Sequence, residues 1–237
     1  MTAPHSNAEF VADMEKVLEL YRKPYDSRFP VVCFDEMPRQ LIGEFRPGEP
    51  MIPGYAERID YEYVRNGTCN ILMATEPLRG WRMAEVTENK TAKDWALFTE
   101  KIIEAYPEAE KIILVEDNLS THKAASWYTA FPPEKAKRLM DRVEFVYTPE
   151  HGSRLNIAEI ELNVLFGQCL KRRIPSLEIM RNKVTAWEKA RNSKTRVVDW
   201  QFTLDETDRI KGGFGLEKRV EYRLFQSWRL EKEKSKC

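Results

Sequence analysis

The chain has 237 residues, 42% of them apolar, and its 38 basic side chains are matched by 38 acidic ones. That supplies one substantial core and excludes attachment to nucleic acid through bulk charge alone. Four scattered cysteines without a C-x-x-C pair exclude a zinc ribbon or disulfide framework. The start M-T-A-P-H-S-N-A-E-F lacks the basic and apolar parts of a signal peptide, and no run approaches the about 18 apolar residues of a membrane span, so a soluble, intracellular protein with reduced thiols is expected.

Phe10, Met14, Val17, Leu18 and Tyr21 recur at helical spacing and predict a helix over Asn7 to Tyr21, ended by Pro24. Pro30 opens a strand expected to run to Glu36. A loop punctuated by Pro47, Gly48, Pro50, Pro53 and Gly54 follows. The alternating run from Ile59 to Thr75 is broken at Asn66-Gly67, a strong hairpin signal, and Trp81 to Thr87 reads as the next strand. Thr91 with Asp94 forms a capping-box pattern ahead of a helix to about Tyr106 that carries Trp95, Phe98 and Ile102 on one face. Lys111 to Glu116 is a short continuous apolar run of the kind that suits a strand covered on both faces. Residues 120–140 read as helical with a break at Pro132-Pro133, Val143 to Tyr147 as a last strand, and Asn156 to Arg173 as one long helix. Beyond Pro175, Ser176 is placed to cap a helix with the stripe Leu177, Met180, Val184 and Trp187. The tail from Val197 is weakly patterned, with a break at Gly212-Gly213-Phe214-Gly215 and a charged end expected to fray. Three antiparallel strands followed by alternating helices and parallel strands make an α/β fold, a ribonuclease H-like mixed sheet flanked by helices. No glycine-rich phosphate loop supports a doubly wound nucleotide binder. Residues 1–29 are expected to form an N-terminal helix and linker, 30–192 the main domain and 193–237 a partly flexible extension.

Charge is unevenly spread. Residues 151–237 carry 19 Lys and Arg against 12 Asp and Glu. Between 166 and 198 nine basic residues (Lys171, Arg172, Arg173, Arg181, Lys183, Lys189, Arg191, Lys194 and Arg196) face two acidic ones, which makes this stretch either a phosphate-contacting surface or a solvated helix face.

Three acids sit where chemistry is concentrated: Asp35 ends P-V-V-C-F-D-E, Asp117 ends K-I-I-L-V-E-D-N, and Glu159 closes H-G-S-R-L-N-I-A-E. Strand-end carboxylates can hold hard cations that keep their waters, and two such cations roughly 3.5 to 4 Å apart serve phosphoryl transfer. A lone strand-end Asp is also commonly a turn former or N-cap, and Asp117 would suit a helix starting near Ser120. Each strand offers a second acid, Glu36 or Glu116, and composition does not choose within either pair. Glu159 and Glu161 lie about 200° apart on a helix, so they cannot share a site. With Leu155, Ala158, Leu162, Leu165 and Cys169 as the core stripe, Glu159 falls at its apolar margin and Glu161 on the polar flank with Gln168 and Arg172. A carboxylate at an apolar margin needs a compensating partner, which favours Glu159 as a ligand. His122 and His151 are open to readings as proton shuttles or phosphate contacts, but the reading as ordinary loop histidines is preferred. Of six tryptophans, Trp81, Trp95 and Trp187 occupy core-facing positions, so packing rather than base stacking is expected of them.

Taken in order, V-V-C-F-D-E-M-P-R-Q-L, Y-E-Y-V-R-N-G-T-C-N, V-E-D-N-L-S-T-H-K and H-G-S-R-L-N-I-A-E-I-E-L-N-V-L resemble the catalytic domain of the bacterial mariner-like transposases, the insertion sequence six-thirty family, over roughly Ala8 to Lys211. The resemblance implies a DDE triad of Asp35, Asp117 and Glu159 acting as catalytic groups and metal ligands, with Asn118, His122 and Asn156 in support. It implies two Mg²⁺ ions, or Mn²⁺ in their place, and cut-and-paste DNA transposition by hydrolysis and then strand transfer. DNA, both transposon ends and target, would be contacted by Arg154, Lys171, Arg172, Arg173, Arg181 and Lys183. A homodimer is expected because two ends must be joined, in a cytoplasmic, nucleoid-associated setting without a membrane. The 42-position interval from Asp117 to Glu159 is longer than the family's, and the excess fits A-F-P-P-E-K-A-K-R-L-M-D-R as a surface insertion. Nothing before Pro30 fits a helix-turn-helix, so a separately encoded half is a candidate partner. Two alternatives stand beside this reading: a non-catalytic remnant that binds DNA or a partner transposase, and a ribonuclease H-like structure-specific nuclease.

Overall fold

The computed structural model describes residues 8–46, 51–55, 61–149, 152 and 155–195. β4 (Ile112–Glu116) is the buried spine of the sheet, and its unbroken apolar run is explained by helices on both sides. β1 (Val31–Glu44) lies parallel to it and antiparallel to β2 (Tyr63–Glu76), which pairs with β3 (Trp81–Thr87). β5 (Val143–Tyr147) lies parallel to β4 on its other side, giving the order β3-β2-β1-β4-β5.

One face of the sheet, carrying Val32, Phe34, Leu72, Ala74 and Leu114, is covered by α2 (Ala92–Glu104), α3 (Ala125–Ala130) and α4 (Pro133–Asp141) through Trp95, Phe98, Trp127 and Leu139. Thr91 closes the expected capping box with Asp94, so two otherwise orphaned N–H groups at the start of α2 are satisfied. α4 lies within the Asp117 to Glu159 interval, between α3 and β5, with Pro133 at its first turn and Ala136 and Leu139 in the core. The opposite face is covered by α1 (Ala8–Arg22), α5 (Ile157–Leu165) and α6 (Leu177–Asn192). Met14, Val17, Leu18 and Tyr21 of α1 meet Cys33, Val115 and Val146, and Met180, Val184 and Trp187 of α6 meet Ile71, Met73 and Val86. Tyr21 Oη donates to the Leu155 carbonyl at 2.9 Å, tying α1 to the start of α5.

Three expectations are corrected. β1 does not stop at Glu36 but continues through Pro38 to Glu44. It pairs with β4 only from Val31 to Cys33, so Pro38 faces an open edge where its missing N–H costs no ladder bond. Asn66-Gly67 is not a hairpin turn. β2 runs through it, and the register slips between Gln40 and Ile42 of the partner strand, a bulge that Gly67 accommodates at φ +101°. The long helix divides: α5 ends at Leu165 and Phe166–Leu170 winds as a wider π turn.

Candidate active site

Alternation along β1 separates its two acids. Asp35 shares the α5-facing side with Cys33 and Met37, whereas Glu36 shares the α2-facing side with Phe34. Glu36 is engaged there: it accepts from Asn70 Nδ2 at 3.1 Å and pairs with Lys90. The second pair divides in the same way. Glu116 is fully buried on the α2 side, where Trp95 Nε1 donates to it at 3.0 Å, and Asp117 emerges one residue later at the sheet end, with a third of its side chain exposed.

Burial pushes the Asp35 carboxyl up to about 7. The neighbouring charges of Asp117 and Glu159 act in the same direction, opposed by the Glu36 N–H that donates to it at 2.8 Å. Each of these two acids is thus close enough to raise the proton affinity of Asp35, and no basic side chain among the described residues pairs with Asp35 in return.

Glu159 lies in the first turn of α5, where the helix dipole favours an anion. That turn is placed by Asn156, which is 1% exposed. Its Oδ1 caps the helix by accepting from Ala158 N at 3.1 Å, and its Nδ2 donates to the Phe34 carbonyl at 2.6 Å. The cap therefore ties the helix bearing Glu159 to the residue before Asp35. Glu159 Oε2 is buried without a hydrogen-bond partner, an arrangement that costs free energy unless something else satisfies it.

Glu161 is not the polar-flank residue expected from the helical wheel. It is 1% exposed and accepts from Arg82 Nη2 at 2.8 Å and from Arg191 Nη2 and Nε at 3.0 and 3.2 Å. These guanidinium bonds hold its carboxyl below the usual range despite burial, which acts the other way. Arg191 is accordingly withdrawn from the basic surface. Of the other basic residues, Lys171, Arg172 and Lys183 are exposed. Arg181 donates to the Val86 carbonyl at 3.3 Å, and Arg173 donates to the Glu62 carbonyl at 3.1 Å. Arg154, Arg196 and His151 lie outside the described residues, as do Trp200 and Trp228.

His122 overturns the loop-histidine reading. It is 1% exposed, with Nδ1 2.6 Å from Asp117 Oδ1 and Nε2 3.6 Å from Glu36 Oε1. Burial lowers its proton affinity, but the bonds to Asp117 and Glu36 and the Glu116 charge outweigh that and push it up to about 9. Glu116 is pushed up to about 8 by burial, against the pull of His122 and the Trp95 bond. Asn118 is exposed beside Asp117. The roles of Glu36, Glu116 and Lys90 leave no signal in the sequence, because their partners arrive from other elements.

Asp35, Asp117 and Glu159 offer carboxylate oxygens at this rim, and His122 engages one oxygen of Asp117, a donor set that fits a hard divalent cation. As they stand, no three His, Cys, Asp or Glu side chains among the described residues are disposed to hold one ion together. Asp117 and Asn118 reach solvent at this rim. A cleft of about 420 Å³ lies at the other end of the sheet, near Phe29, Val31 and Glu76, and touches none of the three acids. No helix among the described residues is long and apolar enough to cross a membrane.

A family model for the DDE superfamily endonucleases matches residues 30–181. No curated protein matches the sequence. Among solved structures, the fold is similar to the catalytic domain of Mos1 mariner transposase, at 13% identity and TM-score 0.53 over 80% of this chain and 84% of that one. It is also similar to the Mos1 paired end complexes with Mg, at 16% identity and TM-score 0.51 over 83% of this chain and 60% of that one, and with Mn, at 17% identity and TM-score 0.50 over 80% and 58%. The chain thus spans about three fifths of the Mos1 chains in those complexes. The five-stranded mixed sheet with its flanking helices is the ribonuclease H-like fold of such catalytic domains.

Proposed function

This chain belongs to the DDE superfamily endonucleases, and on that premise we propose that it is the catalytic part of a DNA transposase, of the bacterial mariner-like kind, with Asp35, Asp117 and Glu159 as its triad. The observation that carries the reading is the unbalanced acid cluster: Asp35 pushed up to about 7 beside Asp117 and Glu159, and Glu159 Oε2 buried with nothing to bond. A structural ion pair would have closed that deficit, as Arg82 and Arg191 do for Glu161 two residues away. Three grouped carboxylates, with Glu159 Oε2 lacking a partner among the described residues, are instead suited to accept a cation together with a phosphodiester.

Asp35, Asp117 and Glu159 would hold Mg²⁺ or Mn²⁺, two ions in all. Bound there, the metal supplies charge to activate the attacking oxygen and to stabilise the leaving one in an in-line displacement. The chain's own residues set the frame for this. Asn156 fixes the helix of Glu159 against the strand of Asp35, and the raised proton affinity of Asp35 means that loading releases a proton. The exposed Lys171, Arg172 and Lys183 on the same flank of the sheet as α5 would meet the DNA backbone, where each contact adds affinity without sequence preference. Transposon-end DNA and target DNA are the substrates in this reading. A second copy of the chain is the partner, at the bacterial nucleoid.

The test is Mn²⁺-dependent nicking of supercoiled plasmid. The wild-type chain is expected to nick, and Asp117→Ala to abolish nicking while the near-ultraviolet dichroism of the buried tryptophans is retained. Nicking that survives the substitution overturns the site.

A further inference from the structure

We propose that His122 is a positioning residue that sets the orientation of Asp117 by bridging it to Glu36 on the far side of the sheet. The inference rests on the reading of Asp117 as a metal ligand.

His122 is built in from every side. Trp95 stacks on its ring at 6.1 Å between centroids and 19° between planes, and Phe34 meets it edge-on at 5.2 Å and 84°. Its own N–H donates to the Leu119 carbonyl at 3.0 Å, and its carbonyl accepts from Tyr147 Oη at 3.3 Å. With ring and backbone both held, the two ring nitrogens have fixed directions. Nδ1 meets Asp117 Oδ1 at 2.6 Å, and Nε2 faces Glu36 Oε1 at 3.6 Å. Glu36 is itself anchored by Asn70 Nδ2 at 3.1 Å and by Lys90.

The consequence is geometric. Asp117 stands just beyond the last residue of β4, where no ladder holds it, and its side chain is a third exposed, so the bond from His122 is what fixes its carboxylate. One oxygen is engaged by His122, which fixes the plane of the carboxylate and leaves Oδ2 free of that bond, in a group whose charge acts on Asp35. Partners that orient a ligand in this way matter to metal affinity nearly as much as the ligands do, and their loss typically weakens binding about 10- to 100-fold. The chain thus spends a buried histidine and a carboxylate on the α2 face to aim a carboxylate on the α5 face.

The test measures Mn²⁺ affinity of the full chain without DNA, from the electron paramagnetic resonance signal of free Mn²⁺. Asp117→Asn is the reference and is expected to weaken binding. His122→Asn keeps an N–H donor at the Nδ1 position and is expected to stay within a few-fold of wild type. His122→Gln keeps one only at the Nε2 position and is expected to lose about 10- to 100-fold. Thermal stability should fall similarly in both, so a purely structural role predicts equal affinities in the two variants. Equal Mn²⁺ affinity in the two, with Asp117→Asn impaired, overturns the positioning role alone. An unimpaired Asp117→Asn overturns the ligand assignment and the inference with it. Should the His122 variants fail to fold, Glu36→Gln leaves the aromatic cage intact: weakened Mn²⁺ binding supports the bridge, and wild-type binding overturns it.

Discussion

Two acidic clusters are built on the same short helix and end in opposite states. Around Glu161, two guanidinium groups deliver three hydrogen bonds to one carboxylate, and the charge is matched within the fold. Around Glu159, two residues earlier, there are two more carboxylates, a buried oxygen with no partner, and an aspartate whose proton affinity burial has raised. A buried pair completed by the chain serves the fold, and a buried deficit left open is held for something the chain does not contain. The contrast also shows why helix position alone is a poor guide: Glu161 is the more deeply buried of the two, and it is the one whose charge the chain matches.

Substitutions at the two clusters should therefore diverge. The largest effect is expected from Glu159→Gln, which should lower plasmid nicking by roughly 10³-fold or more, about 4 kcal/mol of barrier, while leaving the denaturation midpoint unchanged or slightly raised. Glu161→Ala should do the reverse. It strands Arg82 and Arg191 in the interior and should cost about 3–5 kcal/mol of stability in urea titrations, with any residual folded protein still able to load Mn²⁺. Equal stability losses at both positions would erase the distinction.

The pH dependence sharpens the same comparison. The folded Asp35 carboxyl stands at about 7, above its ordinary 3.8, so the fold binds that proton more tightly than the unfolded chain does. Its contribution is fully present below about pH 4 and is lost as pH rises toward 7. Glu116, at about 8 against 4.5, acts with the same sign over a higher window. Asp35→Asn should consequently raise the melting temperature at pH 8 and leave it little changed at pH 4. Mn²⁺ should raise the wild-type melting temperature more at pH 8 than at pH 6, because at pH 6 it competes with a proton, and should do much less in Asp35→Asn. The smallest effect belongs to the exposed basic residues. Lys183→Ala or Arg172→Ala should each reduce the salt slope of DNA binding by about one, with no change in nicking at saturating DNA.

The succession of strands and helices and the capping box at Thr91 were legible locally, because alternation, helical spacing and capping act within a few residues. What escaped was decided at long range. Glu161 looked solvated because its partners, Arg82 and Arg191, lie 79 and 30 residues away. His122 looked like a loop residue because the aromatic wall around it comes from β1 and α2. Asn66-Gly67 carried the residue chemistry of a turn, and the chain used the same positive-φ glycine for a bulge instead, since β1 continues alongside it. The strand expected to end at Glu36 runs on through Pro38, since nothing local reveals that the N side of Pro38 faces an open edge.

The length of β1 has a mechanical consequence. The strand parts from β4 after Cys33 and runs on with β2 alone to Glu44, while Tyr63 through Thr68 of β2 stand exposed. Asp35 sits two residues past that parting, where β4 and β5 drop away and β1, β2 and β3 continue as three strands; only beyond Pro38 and Asn70 do β1 and β2 run on as a two-stranded ribbon. A torque applied at the ribbon's tip therefore reaches the Asp35 carboxylate, on which the proposed chemistry depends, through three residues of sheet that β3 still braces.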